Sequence, residues 1–341
     1  MQLPFWEYCL RVSALYPLLA YSRPKRLYEP SANESDCMAR YHRHFGLERD
    51  PFLDTADPFF YCELGALAKA RTRLSASVDA SRGMTVVLGE PGTGKTSLCA
   101  ALEQELLSDD AIVLGKILDP TFASDTEFLV AVGKVFGLAL PPRSSAALKN
   151  ALKNFLFESA ILEKRTLVLI IDEAQNLSDA NLEALRMLLN YQVPAKKLLN
   201  ILLFGQSELA LRIEARGNLA DRVDGWLRLD RLDDGMASAL LDYRLTRAGL
   251  PPGRAIFSPE AREVLIRAAA GLPRRLTMLA HLAMEEAADR SAPLVLEDHV
   301  RSALFARGIE LPVTPPPAAT ARNSQHHESF FARLFRRFAT K

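Results

Sequence analysis

The sequence has few cysteines and histidines, and neither type is spaced as metal ligands are. Its 341 residues include 4 cysteines and 6 histidines. No C-x-x-C pair and no H-E-x-x-H pattern occurs, which argues against a transition metal bound by side chains. We expect the thiols to be scattered and reduced, as in a cytoplasmic protein. The cysteines are Cys9, Cys37, Cys62 and Cys99.

The chain also lacks a dominant charge and a long apolar run. Its 42 lysine and arginine residues nearly balance 41 aspartate and glutamate residues, so no overall field favours nucleic acid or another charged partner. No uninterrupted apolar stretch reaches the roughly 18 residues that a transmembrane helix needs. With 49% hydrophobic residues, a chain of this length can bury a full core, and we expect a large domain and a smaller one.

The first 37 residues carry little regular pattern. The apolar stretch at 10–20 contains Arg11 and Pro17 and follows no basic start, so it does not match a secretory signal. From Met38 onward the sequence becomes well patterned. We expect residues 1–37 to be an appended or wrongly assigned extension, with a docked N-terminal helix as the alternative.

From residue 83, short apolar runs alternate with longer helical patterns, which indicates a parallel sheet covered by helices. The run at 167–171 has no polar alternation and is typical of a central strand buried on both faces. Helices are predicted over 125–136 and 145–164. The predicted strands cover residues 84–88, 111–114, 167–171, 201–204 and 226–229.

After residue 231 the strands stop and helical patterns follow alone. Ser258 can cap a helix, Pro259 suits the first helical position, and Glu260 faces the positive end of the helix dipole. We therefore predict an α/β domain over 38–231 and a small all-α domain over 232–311. The predicted helices of the second domain cover 234–248, 258–270, 274–289 and 297–305.

The last segment, 312–341, begins with a stretch rich in proline and alanine that is typical of an extended linker. The tail after it is aromatic and basic, and its apolar residues fall on one face of a hypothetical helix. Such a tail can lie on an anionic membrane surface or dock on a partner, or stay disordered until it binds. The apolar residues are Phe330, Phe331, Leu334, Phe335 and Phe338.

The strongest chemical signal is a phosphate-binding loop between a predicted strand and a predicted helix. Residues 89–96 match G-x-x-x-x-G-K-[ST], in which glycines let backbone N–H groups and a helix N-terminus point at phosphate. We predict that this segment binds ATP, with Lys95 on phosphate oxygens and the Thr96 hydroxyl on Mg²⁺. The predicted nucleotide-binding residues are Gly89, Glu90, Pro91, Gly92, Thr93, Gly94, Lys95, Thr96 and Ser97.

A second signal is the acidic pair Asp172 and Glu173, directly after the apolar run at 167–171. We predict that Asp172 reaches the Mg²⁺ shell and that Glu173 polarises the attacking water, which favours a hydrolase over a phosphoryl transferase. On its own, such a pair also fits a solvated turn. The phosphate loop favours the functional interpretation.

These motifs together resemble those of the general secretion pathway A-component (ExeA-type) AAA+ ATPases. The resemblance covers about residues 38–308 and includes Y-H-R-H-F-G-L at 41–47, D-E-A-Q-N-L at 172–177 and L-F-G-Q-S-E-L at 203–209. It also includes F-S-P-E-A at 257–261. The resemblance implies a P-loop AAA+ module, in which a parallel sheet flanked by helices precedes a small helical lid.

The resemblance implies roles for further residues. Gln206 matches the sensor-1 position beside the γ-phosphate or the attacking water, and Arg274, in G-L-P-R, matches the sensor-2 arginine of the lid. Arg222 lies where related initiator-type ATPases carry an arginine finger that acts on a neighbouring subunit's nucleotide, with Arg212 and Arg216 as alternatives. The segment at 45–51 either lines the adenine pocket or packs in the core.

The resemblance further implies a cytoplasmic homo-oligomer, at the inner membrane, that hydrolyses Mg-ATP to energise or assemble a secretion or pilus-type envelope machine. We expect a short form without the transmembrane helix and peptidoglycan-binding region of full members. One alternative is a DNA-associated ATPase of a transposition system, and another is a nucleotide-dependent scaffold with negligible turnover. The balanced charge favours the envelope role over DNA, and Glu173 argues against a scaffold.

Overall fold

The structure is a computed structural model that describes residues 41–139, 144–194 and 196–309. The expectations for residues 1–37 and for the linker and tail at 312–341 lie outside these described ranges. Among the described residues, no helix combines the length and apolarity that a membrane crossing requires.

A five-stranded parallel sheet forms the centre of the molecule, with the strand order β2-β3-β6-β1-β7. Every predicted strand is present, and β2 continues to Ile117 rather than ending at 114. The strands are β1 (Met84–Gly89), β2 (Ile112–Ile117), β3 (Thr166–Ile171), β6 (Asn200–Gly205) and β7 (Val223–Leu229). A separate antiparallel hairpin, which the sequence analysis did not predict, joins β4 (Gln192–Val193) and β5 (Lys196–Lys197).

The central strands are buried on both faces, as their continuous apolar runs predict. Val86 and Leu88 of β1 pack into one core layer, whereas Val87 between them packs into the other, because successive side chains of a strand point to opposite faces. Since the strands are parallel, the carboxyl ends of β1, β3 and β6 meet at one edge of the sheet. This edge carries Gly89, Asp172 and Gln206.

Helices cover both faces of the sheet. The predicted helix at 145–164 is α-helical to Phe157 and then continues as a π turn to Leu162. The helix at 65–79 was not predicted and packs below β1 and β7. The helices that precede β7 are α1 (Tyr41–His44), α2 (Gly65–Asp79), α3 (Lys95–Leu106), α4 (Asp125–Val135), α5 (Ser145–Phe157), α6 (Asp179–Leu189), α7 (Ser207–Glu214) and α8 (Gly217–Ala220).

Helices alone follow β7 in the described chain, at the positions that the sequence predicts. They are α9 (Asp234–Arg247), α10 (Pro259–Ala269), α11 (Pro273–Asp289) and α12 (Glu297–Ala306), and we call them the lid. Ser258 caps α10 by accepting a hydrogen bond from the backbone N–H of Ala261 at 3.2 Å. Parallel sheet, flanking helices and helical lid confirm the predicted fold class.

The segment before α2 fastens onto the lid. Phe45 is 1% exposed, and the ring of Tyr41 packs edge-on against His281 of α11, with 5.0 Å between ring centroids. The backbone N–H of Glu48 donates to the carbonyl of Ala248 at 2.8 Å. Of the two interpretations of residues 45–51, core packing is therefore the one that the structure supports.

Candidate nucleotide-binding site

The phosphate-binding loop leaves β1 at Gly89 and enters α3 at Lys95. Gly92 and Gly94 adopt φ angles of 84° and 98°, in the left-handed region that glycine enters at little cost. A Cβ on Gly89 would lie 2.5 Å from the hydroxyl oxygen of Thr93, so the Thr93 side chain occupies the space that a side chain at position 89 would need. The curl ends at a helix N-terminus, which is a ready site for an anion.

Lys95 is buried at the base of this loop, with 5% of its surface exposed. Its Nζ donates to the carbonyl oxygens of Gly89 at 2.8 Å and Glu90 at 3.0 Å. Burial lowers the pKa of the Lys95 ammonium, while the carboxylates of Glu173 and Asp172 act in the opposite direction. A positive charge is thus held where an anion can reach it.

Asp172 lies at the carboxyl end of β3 and is 3% exposed. Burial raises the pKa of its carboxyl group, and hydrogen bonds from the backbone N–H of Glu173, at 2.9 Å, and from the Thr96 hydroxyl lower it. Thr96 and Asp172 therefore place a hydroxyl and a carboxylate oxygen side by side. Hard oxygen donors of this kind, few in number, suit Mg²⁺, which keeps water and phosphate as its other ligands.

Glu173 has left-handed backbone angles, φ 48° and ψ 36°, which are uncommon for a residue with a side chain. Strain of this kind is concentrated at functional sites. The carboxylate of Glu173 accepts a hydrogen bond from the side-chain amide of Gln175. The Gln175 side-chain oxygen in turn accepts from the backbone N–H of Gln206 at 3.2 Å. Gln175 therefore links the predicted catalytic carboxylate to the predicted sensor residue.

Arg212 and Arg216 support this link from α7 and the turn after it. Arg212 donates to the backbone carbonyl of Gln175 at 2.8 Å and pairs with Asp179 at 2.7 Å. Arg216 pairs with the other carboxylate oxygen of Asp179. Both alternative finger arginines are thus engaged within their own chain.

Arg274 lies at the start of α11, where the lid meets the phosphate loop. Its backbone N–H donates to the carbonyl of Gly92 at 3.3 Å, and its guanidinium pairs with Asp54 at 2.8 Å. Both side chains of this ion pair are about 70% exposed. The arginine predicted as sensor 2 therefore faces the loop from the lid.

A second contact between loop and lid involves Glu90 and Arg231. The guanidinium of Arg231 pairs with the Glu90 carboxylate at 2.6 Å and also donates to the carbonyl of Ala270 at 3.3 Å. Next to it, the carbonyl of Gly271 accepts from the backbone N–H of Leu232 at 2.8 Å. The connection between β7 and α9 is in this way tied both to the loop and to the lid.

A cavity of about 370 Å³ opens between the sheet edge and the lid. Nine of the predicted site residues line it: Pro91, Gly92, Gly94, Lys95, Thr96, Ser97, Glu173, Gln206 and Arg274. Asp172 is not part of this lining, but it accepts a hydrogen bond from the Thr96 hydroxyl, which is. Its lining also includes residues 53–57 and 60–62, and Leu240 and Arg244 of the lid, none of which was predicted as a site residue. These segments reach the site only through tertiary packing, so no local sequence motif predicts that they line it.

Arg222 does not reach this cavity. It immediately precedes β7, whose first residue Val223 pairs with Met84 at the start of β1. It therefore lies at the amino edge of the sheet, opposite the phosphate loop. There, burial lowers the pKa of the Lys197 ammonium, and the charge of Arg222 lowers it further. Within one chain, Arg222 cannot contact a nucleotide on the loop.

Comparisons with known proteins agree with this geometry. A family model described as an AAA domain matches residues 78–213. General secretion pathway protein A of Aeromonas hydrophila is 30% identical over 270 residues, which are 78% of this chain and 48% of that protein. The chain thus spans about half the length of this curated relative.

Several solved structures are similar to this fold. Aeropyrum pernix ORC2, solved in ADPNP-ADP complexes, has a TM-score of 0.58 and 17% identity, over 76% of this chain and 71% of that one. Drosophila ORC bound to DNA has a TM-score of 0.61 and 19% identity, over 89% and 74%. Cdc6p from Pyrobaculum aerophilum has a TM-score of 0.59 and 15% identity, over 80% and 72%. At such identities the likeness concerns the fold alone.

One site is formed by the phosphate loop, by Asp172 and Glu173 at the end of β3, and by the lid. The match to the AAA domain model and the similarity to general secretion pathway protein A are consistent with such a site. The chain belongs to the AAA+ P-loop NTPases of the general secretion pathway A type.

Proposed function

We propose that the protein binds Mg-ATP in the cavity between sheet edge and lid and hydrolyses it. The observation that carries the proposal is the convergence of Lys95, Glu173 and Arg274 on a single cavity from three separate parts of the chain. Phosphoryl transfer needs charge neutralisation and an oriented nucleophile, and these side chains offer both.

Each residue has a role that its surroundings suit. Lys95 exchanges the carbonyls of Gly89 and Glu90 for phosphate oxygens, and the loop amides hold the phosphates. Thr96 and Asp172 would hold Mg²⁺, which would supply further charge neutralisation. Glu173 orients and deprotonates the attacking water. Gln206 lines the same cavity and is linked to Glu173 through Gln175.

We further propose that hydrolysis changes the angle between the sheet and the lid. Arg274 senses the terminal phosphate, and its interaction with Asp54 is the one that the phosphate replaces. The Glu90 to Arg231 ion pair transmits a movement of the loop to the connection that carries the lid. Closure around a ligand of this kind completes many nucleotide sites.

The proposed cellular role is to energise or assemble a secretion or pilus-type envelope machine, as a cytoplasmic homo-oligomer in peripheral contact with the inner membrane. The support is the name of the relative, a general secretion pathway protein, across most of this chain. The C-terminal tail and a partner protein of the machine are the proposed contacts. The similarity to the ORC structures concerns the fold alone, so it does not support a DNA partner for this chain.

The test compares ATP binding and Mg²⁺-dependent phosphate release by the wild-type protein, Lys95→Ala and Lys69→Ala. Lys69 is an exposed lysine on α2, outside the cavity, and serves as the matched control. We expect Lys95→Ala to melt normally but to lose tight ATP binding, and Lys69→Ala to behave as wild type. Undiminished ATP affinity of Lys95→Ala contradicts the proposal. In the native host, the same Lys95→Ala substitution should abolish export by the envelope machine, and intact export would exclude that role.

A further inference from the structure

A second arginine of the lid lines the cavity, and one of its donor atoms has no hydrogen-bond partner in the described part of the chain. Arg244, on α9, contributes to the cavity wall, and its Nε is buried and unbonded among the described residues. The guanidinium lies over the ring of Phe60, at 5.2 Å from the ring centroid. Burial lowers the pKa of Arg244, although Asp50 and Asp57 act in the opposite direction. A buried cation with an unused hydrogen-bond donor destabilises the fold unless a ligand accepts that hydrogen bond.

The neighbouring carboxylates do not accept a hydrogen bond from Arg244 in the described part of the chain. Asp50 accepts hydrogen bonds from the Tyr41 hydroxyl and the backbone N–H of Phe52, and Asp57 accepts from Phe59. Among the residues that the structure describes, both carboxylates act on Arg244 through their charge only, and no ion pair joins either of them to it. Asp50 keeps one buried oxygen unbonded, so it supplies charge without a direct bond to the arginine.

Arg247, one turn further along α9, is a useful comparison because its Nε has a hydrogen-bond partner. Its guanidinium lies over the ring of Phe59, at 4.0 Å from the ring centroid. Its Nε donates to the backbone carbonyl of the same residue at 3.2 Å. Arg247 is absent from the cavity wall. The two arginines share a helix and each stacks on an aromatic ring, but of the two only Arg244 has a buried donor without a partner in the described chain.

Arg244 and Lys95 line the same cavity but have different charged neighbours. The charges that act on it come from the segment at 41–62, and those that act on Lys95 come from Asp172, Glu173 and Glu208. The two sets have no residue in common. The cavity neighbours of Arg244 include Phe60 and Leu240, which are apolar. A nucleotide with its phosphates on the loop would place its base against another part of the cavity wall, and apolar side chains suit the face of a purine.

We propose that Arg244 binds the purine base of the nucleotide, donating a hydrogen bond to a ring-nitrogen acceptor while Phe60 holds the guanidinium plane. The inference rests on the proposed ATP binding. A guanidinium offers donors only, and a purine ring presents acceptor nitrogens at its edge. Stacking on an aromatic ring restricts the arginine before the ligand arrives, so little side-chain entropy is lost on binding.

The test is calorimetric titration of ATP and of inorganic tripolyphosphate into the wild-type protein, Arg244→Met and Arg247→Met. Tripolyphosphate carries the phosphates without the base. We expect Arg244→Met to weaken ATP binding on the order of tenfold or more, the usual effect of losing a hydrogen bond from a charged group. Tripolyphosphate affinity should not change in this variant. Arg247→Met should bind both ligands as wild type does.

Two further measurements separate a base contact from a structural role. Arg244→Lys keeps the charge and the stem of the side chain but not the planar donor array, and it should show the same selective loss of ATP affinity. Thermal melting of each variant reports on folding. Equal losses for ATP and tripolyphosphate, or a lower melting temperature with ATP affinity retained, would mean that Arg244 only balances Asp50, and would overturn the inference. Wild-type protein that binds neither ligand would instead refute the proposed function itself.

Discussion

The side-chain amide of Gln175 donates a hydrogen bond to the carboxylate of Glu173. Gln175 is itself fixed by Arg212, which donates to its backbone carbonyl, and by the close approach of Gly205. A Cβ on that glycine would lie 3.2 Å from the Gln175 side-chain oxygen and 2.7 Å from Leu209. The orientation of the proposed catalytic carboxylate therefore depends on a residue that does not line the cavity.

Gln175→Leu should slow ATP turnover by about tenfold to a hundredfold and leave ATP affinity nearly unchanged, because a misplaced catalytic group costs rate more than binding. Steady-state phosphate release and equilibrium nucleotide binding measure the two effects. Asn176→Ala is the matched control, since Asn176 is the exposed neighbour of Gln175. Equal turnover in the two variants would show that the Gln175 hydrogen bonds do not matter for catalysis.

Asp54→Asn should tighten ATP binding by about threefold to fivefold. The exposed ion pair between Asp54 and Arg274 stabilises the nucleotide-free protein by about 1 kcal/mol at most. In the variant this pair is absent, so the phosphate no longer has to displace Asp54 from Arg274. The gain should vanish when Arg274 is also replaced by Ala, because the two effects act through one pair. Weaker ATP binding by Asp54→Asn would mean that Asp54 itself contacts the ligand.

Gly271→Ala should lower the free energy of unfolding more than Gly253→Ala does, by about 1 to 3 kcal/mol. Both glycines have a positive φ, 75° and 81°, so the backbone strain of the substitution is similar. Only at Gly271 would the added Cβ meet another group, the carbonyl oxygen of Leu232 at 2.5 Å. Urea denaturation of the two variants measures the difference. Equal stabilities would show that the connection to the lid can relax without cost.

Arg222→Ala should bind ATP normally but hydrolyse it poorly, even at high protein concentration. Arg222 lies at the sheet edge opposite the phosphate loop, so it can act only on a neighbouring subunit's nucleotide. Mixing Arg222→Ala with Lys95→Ala protein should restore part of the activity, because a mixed interface pairs an intact loop with an intact finger. No recovery, despite verified co-assembly, would exclude this finger.

The strands and the phosphate loop could be predicted from the sequence because their signals are local. Continuous apolar runs such as 167–171 mark strands buried on both faces, and G-x-x-x-x-G-K-T carries its own backbone geometry. The hairpin of β4 and β5 escaped prediction because strands of two residues show no period. The helix at 65–79 is too mixed in composition to stand out before its partners are known.

The remaining parts of the site depend on contacts between distant segments. Asp54 lies 220 positions from its partner Arg274. The glutamine that orients Glu173 belongs to the D-E-A-Q-N-L stretch, but that stretch does not show that its side chain bonds to Glu173 and to the backbone of Gln206. Nor does any periodicity distinguish Arg244 from Arg247 on the same helix. Their different burial follows from where the segment at 58–60 packs. Such pairings are consequences of the tertiary fold.

The most direct test of hydrolysis at this site is the rate of Mg²⁺-dependent phosphate release by Glu173→Gln, measured together with its ATP affinity. The amide keeps the shape of the side chain but cannot accept the proton of the attacking water. We expect ATP binding to persist, turnover to fall by a factor of about 100 or more, and the ATP-bound form to accumulate. Turnover at the wild-type rate in this variant would contradict the assignment of Glu173 as the catalytic carboxylate and, with it, the proposed mechanism.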